Sequence, residues 1–210
     1  MYKNLFITVD GIDGAGKSTH VDFIQRYLAS KGINSITLRE PGGSDFGEQI
    51  RNLLLHTEVK LHSITELLLM FASRQELLTQ KIVPALNNAH SVICDRYIDA
   101  SIAYQGYGRE IDLVKIDKII SLLEPNLTPD LTFVFDVDLD VAQQRICSNK
   151  YKDRIERENQ LFFKRVQNGY RTLAYNNPER IKLIDTNNSI LDTQAKIIEY
   201  LDQLINLNKK

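Results

Sequence analysis

Cysteine is scarce in these 210 residues: Cys94 and Cys147 lie far apart, with no Cys-x-x-Cys spacing. They read as reduced thiols in a reducing compartment rather than a disulfide, with Cys94 a small core residue. His20, His56, His62 and His90 form no His-x-x-x-His arrangement and have no cysteine nearby, which excludes a structural zinc site of ordinary spacing. Neither sign of charge dominates. With 26 basic against 27 acidic side chains, the balance argues against nucleic acid or an anionic membrane surface as the main partner. No apolar run approaches the roughly 20 residues of a membrane span. Met1 to Asn4 lead straight into an apolar stretch without a signal-peptide pattern, so the chain reads as cytoplasmic. There is no internal repeat, low-complexity linker or shift of composition, and 43% hydrophobic content suits one core: a single domain over 1–210 is expected.

The most informative stretch is Gly11-Ile12-Asp13-Gly14-Ala15-Gly16-Lys17-Ser18-Thr19, which satisfies the full pattern Gly, four residues, Gly-Lys-Ser of a phosphate-binding loop. Its context fits. The run Leu5 to Val9 before it reads as a buried strand, and Val21, Ile24 and Leu28 after it have helical spacing, with Phe23 and Tyr27 beside them. Glycines let backbone N–H groups turn inward, and the helix N-terminus offers partial positive charge to phosphates. Lys17 is expected to reach the β and γ phosphates of ATP, and Ser18 to offer its hydroxyl to Mg²⁺.

Further strands are expected at Ser35–Leu38, Ser91–Cys94, Leu131–Val137 and Arg180–Asp185. Helical spacing covers Phe46–Leu55, where Asp45 and Glu48 are placed as a capping pair, Ser63–Leu86 with a break near Pro84, Ile155–Leu173 and Ala195–Leu207. The apolar Leu67 to Ala72 predicts heavy burial of the second of these helices. The alternation predicts an α/β fold with a five-stranded parallel sheet and helices on both faces, ligands lying beyond the strands' carboxyl ends. That rule brings the loop, Arg39-Glu40-Pro41-Gly42-Gly43-Ser44 and Asp95-Arg96-Tyr97 toward one crevice. Asp95 can hold a Mg²⁺-bound water, Arg96 can grip phosphate oxygens, and Arg74, at the end of a buried run, needs a partner or a ligand. From Cys147 to Asp153 no period is visible, and a mobile lid is expected at about 146–156.

These motifs, with Gly47-Glu48-Gln49-Ile50-Arg51, Phe71-Ala72-Ser73-Arg74, Ala103-Tyr104-Gln105-Gly106 and Asp153-Arg154-Ile155-Glu156, resemble thymidylate kinases in order and approximate spacing along most of the chain. The resemblance implies a nucleoside monophosphate kinase-like fold and transfer of the γ-phosphoryl group of ATP to dTMP, with Mg²⁺ and commonly in a homodimer. It makes Arg96 and Arg51 grips for the dTMP phosphate, places Asp10 near the acceptor sugar and metal, and includes Glu40 among the substrate contacts. Arg74 would read the thymine edge, Tyr104 would pack near the sugar 2′ position, and Ser101 and Gln105 would contact the base. Where the family has an aromatic residue to stack on thymine this chain has Met70, with Phe71 next to it, and either could stack. Family members without an arginine in the loop supply charge from the lid. Gly14 occupies that loop position, and of Arg145, Lys150, Lys152, Arg154 and Arg157 the expected catalytic group is Arg154. An arginine introduced at Gly14 is then expected to restore part of the activity lost with Arg154. The rival readings are another nucleoside monophosphate or deoxynucleoside kinase, and a non-catalytic ATP-binding switch.

Overall fold

The computed structural model describes residues 4–146 and 153–208, with the backbone alone at Ile146. Lys150, Lys152 and Cys147, and most of the expected lid, lie outside the described residues, as do Met1 to Lys3.

Strand β1 (Phe6–Gly11) is buried along its whole length and stands at the centre of the sheet. Around it are β2 (Ser35–Arg39), β3 (Ser91–Asp95), β4 (Leu131–Asp136) and β5 (Ile181–Asp185), all parallel, in the order β2-β3-β1-β4-β5. Successive strand residues point to opposite faces. Phe6, Val92 and Cys94 accordingly cluster with Leu67, Phe71 and Leu77, while Ile7, Val9 and Ile93 cluster with Val21, Ile24, Leu28, Ile197 and Leu201. Each such side chain contributes about 1.5–3 kcal/mol when fully buried. The register sets Asp95 beside both Val9 and Arg39, which puts the charged strand ends in one row.

Helix α1 (Lys17–Ser30) follows the loop directly. Helix α2 (Asp45–Leu55) is capped by Ser44, whose hydroxyl accepts from Gly47 N, and not by the expected Asp45–Glu48 pair. Glu48 instead accepts from Gly43 N at 2.8 Å, tying the glycine turn to the helix. Phe46, expected on the inner face of α2, is half exposed.

Helix α3 (Ser63–Leu77) runs through a π-helical turn, Leu78–Ile82, into α4 (Val83–Asn87). The irregularity precedes Pro84 because proline has no N–H to donate and its ring crowds the preceding turn. Burial of α3 is less complete than its composition suggests, since Leu68 is 53% exposed.

Two elements lie outside the sequence-based expectation: α5 (Ile98–Ser101), too short to carry a period, which continues as a π-helical stretch Ile102–Gly108, and α6 (Leu113–Ile120), for which Leu113, Ile116 and Ile120 at helical spacing and the Asp112 cap, accepting from Val114 N, are the available signal. The chain closes with α7 (Leu139–Ile146), α8 (Gln160–Asn176) and α9 (Ile190–Leu207), the last starting five residues earlier than expected because Ser189 caps it through Asp192 N. Among the described residues no helix is long and apolar enough to cross a membrane.

Candidate active site

Beyond the carboxyl ends of the strands lies a cavity of about 510 Å³. Its floor is the phosphate-binding loop: Asp13, Gly14, Gly16, Lys17, Ser18 and Thr19 line it, while Gly11, Ile12 and Ala15 are buried behind them. Gly14 has a φ of 81°, and a Cβ there would sit 2.4 Å from Ala142 O, so this position admits glycine alone. Lys17 donates to Ile12 O at 3.0 Å and lies 3.3 Å from Asp13 Oδ1. Burial and the nearby Arg96 push its ammonium down from the usual lysine value.

Arg96 holds the centre of the cavity. Its φ of 70° is costly for a residue with a side chain and is kept by what surrounds it. The guanidinium donates to Gly11 O at 2.9 Å and Asp13 Oδ1 at 2.7 Å, and reaches the Tyr104 hydroxyl at 3.2 Å and the Tyr170 hydroxyl at 3.3 Å. It also lies 4.8 Å above the Tyr104 ring. Burial alone would raise the Asp13 pKa, but Arg96 and Lys17 hold it well below the carboxylate range. Asp10 behaves oppositely. It is wholly buried, accepts from the Tyr170 hydroxyl at 3.1 Å, and burial, with Asp99 adding to it, pushes its pKa up to about 7.

Farther from the loop, Arg74 is 2% exposed and pairs with Glu40 at 2.7 Å, while also donating to Tyr97 O and to Ser101 Oγ. Met70, Ser101, Tyr104 and Gln105 line this end of the cavity, and Arg51, held by Pro41 O at 2.8 Å, lines it nearer the glycine turn. Asp95 lines the cavity too, and its Oδ1 is buried without a hydrogen-bond partner. Ser18 lines the same cavity, and a hydroxyl and a carboxylate are oxygen donors of the kind that suit Mg²⁺ bound mainly through water and phosphate. No group of three or more metal-ligating side chains occurs among the described residues.

A family model described as thymidylate kinase matches residues 9–197. The chain belongs to the thymidylate kinase family. It is 46% identical over 201 residues to the thymidylate kinase of Ruthia magnifica, covering 94% of this chain and 98% of that one. It is 43% identical over 202 residues to the thymidylate kinase of Nitrosomonas europaea, covering 96% of this chain and 94% of that one. The crystal structure of thymidylate kinase from Ehrlichia chaffeensis superposes with a TM-score of 0.77 at 36% identity, covering 95% of this chain and 98% of that one.

For a thymidylate kinase, three placements differ from the sequence-based expectation. Asp10 does not line the cavity, whereas Asp13, three residues on, does. The strand's alternation turns Asp10 inward to Tyr170. Phe71 is 5% exposed, its ring 4.5 Å beneath the Arg74 guanidinium, so Met70 is the one of that pair in the cavity wall. Arg154 does not line the cavity either: it donates to Glu66 at 2.7 Å and to Leu54 O at 2.8 Å. Of the described lid candidates Arg145, Arg154 and Arg157, it is Arg145 that lines the cavity, donating to Gly14 O at 3.2 Å and Thr186 O at 3.1 Å. Sequence reasoning did not single out Tyr170, because its spacing on α8 is that of an ordinary core residue. The partner of its hydroxyl is visible only in three dimensions.

Proposed function

We propose that this chain transfers the γ-phosphoryl group of ATP to dTMP, giving dTDP and ADP. The observation that carries this reading is a single cavity lined continuously by a phosphate-binding loop, two further arginines at Arg51 and Arg96, and an end bounded by Arg74 and Glu40. An idle ATP-binding switch has no use for the second and third of these.

Phosphoryl transfer asks mainly for positioning and charge neutralisation. A 5′-phosphate oxygen of dTMP attacks the γ-phosphorus of ATP while the bond to the β,γ-bridging oxygen breaks, and ADP leaves with that electron pair. No proton has to be removed from the attacking oxygen. Lys17 and the loop N–H groups hold the β and γ phosphates, and these compete with Asp13 for the Lys17 ammonium. Arg96 and Arg51 draw the acceptor phosphate into line. Asp13, fixed by Arg96, serves the acceptor sugar in the role expected of Asp10. Tyr104 stands against the sugar 2′ position, Met70 packs on the base, and Arg74, with Ser101 and Gln105, reads the base edge. Arg145 supplies lid-side charge over the loop, and Arg154 anchors the segment behind it. Ser18 and Asp95 would hold Mg²⁺, which when bound neutralises charge on the β and γ phosphates.

A homodimer in the cytoplasm belongs to the same reading. Exposed Phe46 and Leu53 on α2 and Leu68 on α3 are apolar surface that such an interface would cover.

A coupled assay of ADP release against a panel of nucleoside monophosphates tests the activity, with Lys17→Ala as the control. The expected result is turnover of dTMP well above the others, lowered about 10³-fold in a folded Lys17→Ala variant. Equal turnover of several monophosphates, or no turnover at all, overturns the assignment.

A further inference from the structure

Glu66, in the first turn of α3, is a carboxylate only 1% exposed. A buried charge of this kind persists only when it is fully paired. Its donors come from separate parts of the chain. Gln105 Nε2 donates to Oε1 at 3.0 Å, Arg109 donates to Oε1 at 3.2 Å and Oε2 at 3.1 Å, and Arg154 donates to Oε2 at 2.7 Å. Arg109 also pairs with Glu158, so two arginines are balanced by two carboxylates. Burial alone would raise the Glu66 pKa, but the hydrogen bonds and charge of Arg109, with Gln105 and Arg154, bring it below the usual carboxylate value.

Two of these donors belong to the cavity wall or its neighbours. Gln105 lines the base end. Arg154 sits between Asp153 and Ile155, which both line the cavity, as does Glu156. Arg154 N donates to Leu55 O at 3.0 Å and Arg154 Nε to Leu54 O at 2.8 Å, tying the segment to the end of α2, while Asp153 Oδ1 accepts from Ile155 N and Glu156 N at 2.8 Å each within it. The Arg154–Glu66 pair adds the tie to α3.

We infer that Glu66 is a positioning residue for the phosphoryl transfer: one buried carboxylate sets the base-end amide of Gln105 and the wall segment Asp153–Glu156 as a single unit. The role rests on the dTMP kinase reading. It explains why an arginine in the lid-side motif points away from the phosphates, and why Arg109, outside the cavity, is held so firmly.

Glu66→Gln tests this with little change of shape. The expected result is a KM for dTMP raised about 10-fold, with the KM for ATP within twofold of wild type, since a displaced wall affects only the substrate it contacts. A merely structural role would lower the melting temperature and leave both KM values alone. Arg154→Gln, at a partly exposed position, provides a second route should Glu66→Gln not fold, and is expected to raise the same KM. The double variant is expected to lose little more than the worse single variant, because both break one network. Unchanged dTMP KM in the folded single variants, or full additivity in the double, overturns the inference. Amide exchange over 153–156, without any ligand, separates it from the activity assignment. Exchange faster than wild type in Glu66→Gln supports the positioning role whatever the substrate proves to be, and unchanged exchange sinks it.

Discussion

Arg74 and Glu40 pair at 2.7 Å with both side chains out of solvent, yet Arg74 Nη1 and Glu40 Oε1 each lack a hydrogen-bond partner. A buried pair of this kind is poor value for stability alone, because desolvation offsets most of the attraction. Its two open polar atoms, at the base end of the cavity, suit a ligand with a donor and an acceptor side by side. Removing one partner should cost about 3–5 kcal/mol. Glu40→Ala is therefore expected to melt well below wild type and to bind dTMP at least about 10-fold more weakly. Replacing both residues by leucine should recover much of the melting temperature without recovering turnover. A double variant that phosphorylates dTMP normally would show the pair to be structural.

Arg145, rather than Arg154, is expected to carry the lid-side charge in catalysis. Its guanidinium is held at the loop by Gly14 O and Thr186 O. Arg145→Ala should lower kcat by about 10²-fold or more, while dTMP affinity in a titration stays near wild type. Gly14→Arg should not rescue either arginine variant, contrary to the expectation from sequence, because its Cβ would collide with the α7 backbone at Ala142. Single-turnover kinetics decide both points, and near-native chemistry in Arg145→Ala would remove the role from this residue.

Tyr104 has two roles that separate by substitution. Its hydroxyl, 3.2 Å from Arg96, helps set the guanidinium, and its ring occupies space at the proposed 2′ position. Tyr104→Phe should weaken phosphate positioning and keep the preference for the deoxyribonucleotide. Tyr104→Ala should narrow that preference. Specificity constants for dTMP and its ribonucleotide counterpart give the ratio, and an unchanged ratio in Tyr104→Ala rejects the steric role.

Asp10 gives a pH signature. Its pKa rises on folding from 3.8 to about 7, so the folded state favours the protonated form. Stability from this group is fully present below about pH 4 and is lost as pH rises through 7, a change of about 4 kcal/mol. Asp10→Asn, which still accepts from Tyr170, should melt above wild type at pH 8 and lose most of that advantage at pH 4. Parallel melting profiles for the two proteins between these values would mean that Asp10 is ionised in the fold without penalty.

Local order was legible in the sequence, together with the phosphate-binding loop, because both arise from short-range causes. Glycine spacing before Lys17, β-branched runs, and apolar residues three and four apart act within a few residues of themselves. The parallel sheet followed from the alternation of these elements, and the convergence of Asp95, Arg96 and the loop followed from the sheet. The short helical elements at 98–108 were not legible, since their few residues carry little periodicity and they are held by packing on α8, whereas α6 does carry helical spacing at Leu113, Ile116 and Ile120 behind its Asp112 cap. Nor could spacing tell which polar side chain meets which. Asp10 and Asp13 belong to one motif, and only the strand's pleat turns one toward Tyr170 and leaves the other beside Arg96. Met70 and Phe71 are neighbours on one helix, and the packing of α3 on the sheet decides that Phe71 goes beneath Arg74. Arg154 matched a family motif, but its partner Glu66 is 88 residues away. A buried carboxylate takes whatever cation the fold brings within reach, and that is a property of the tertiary structure alone.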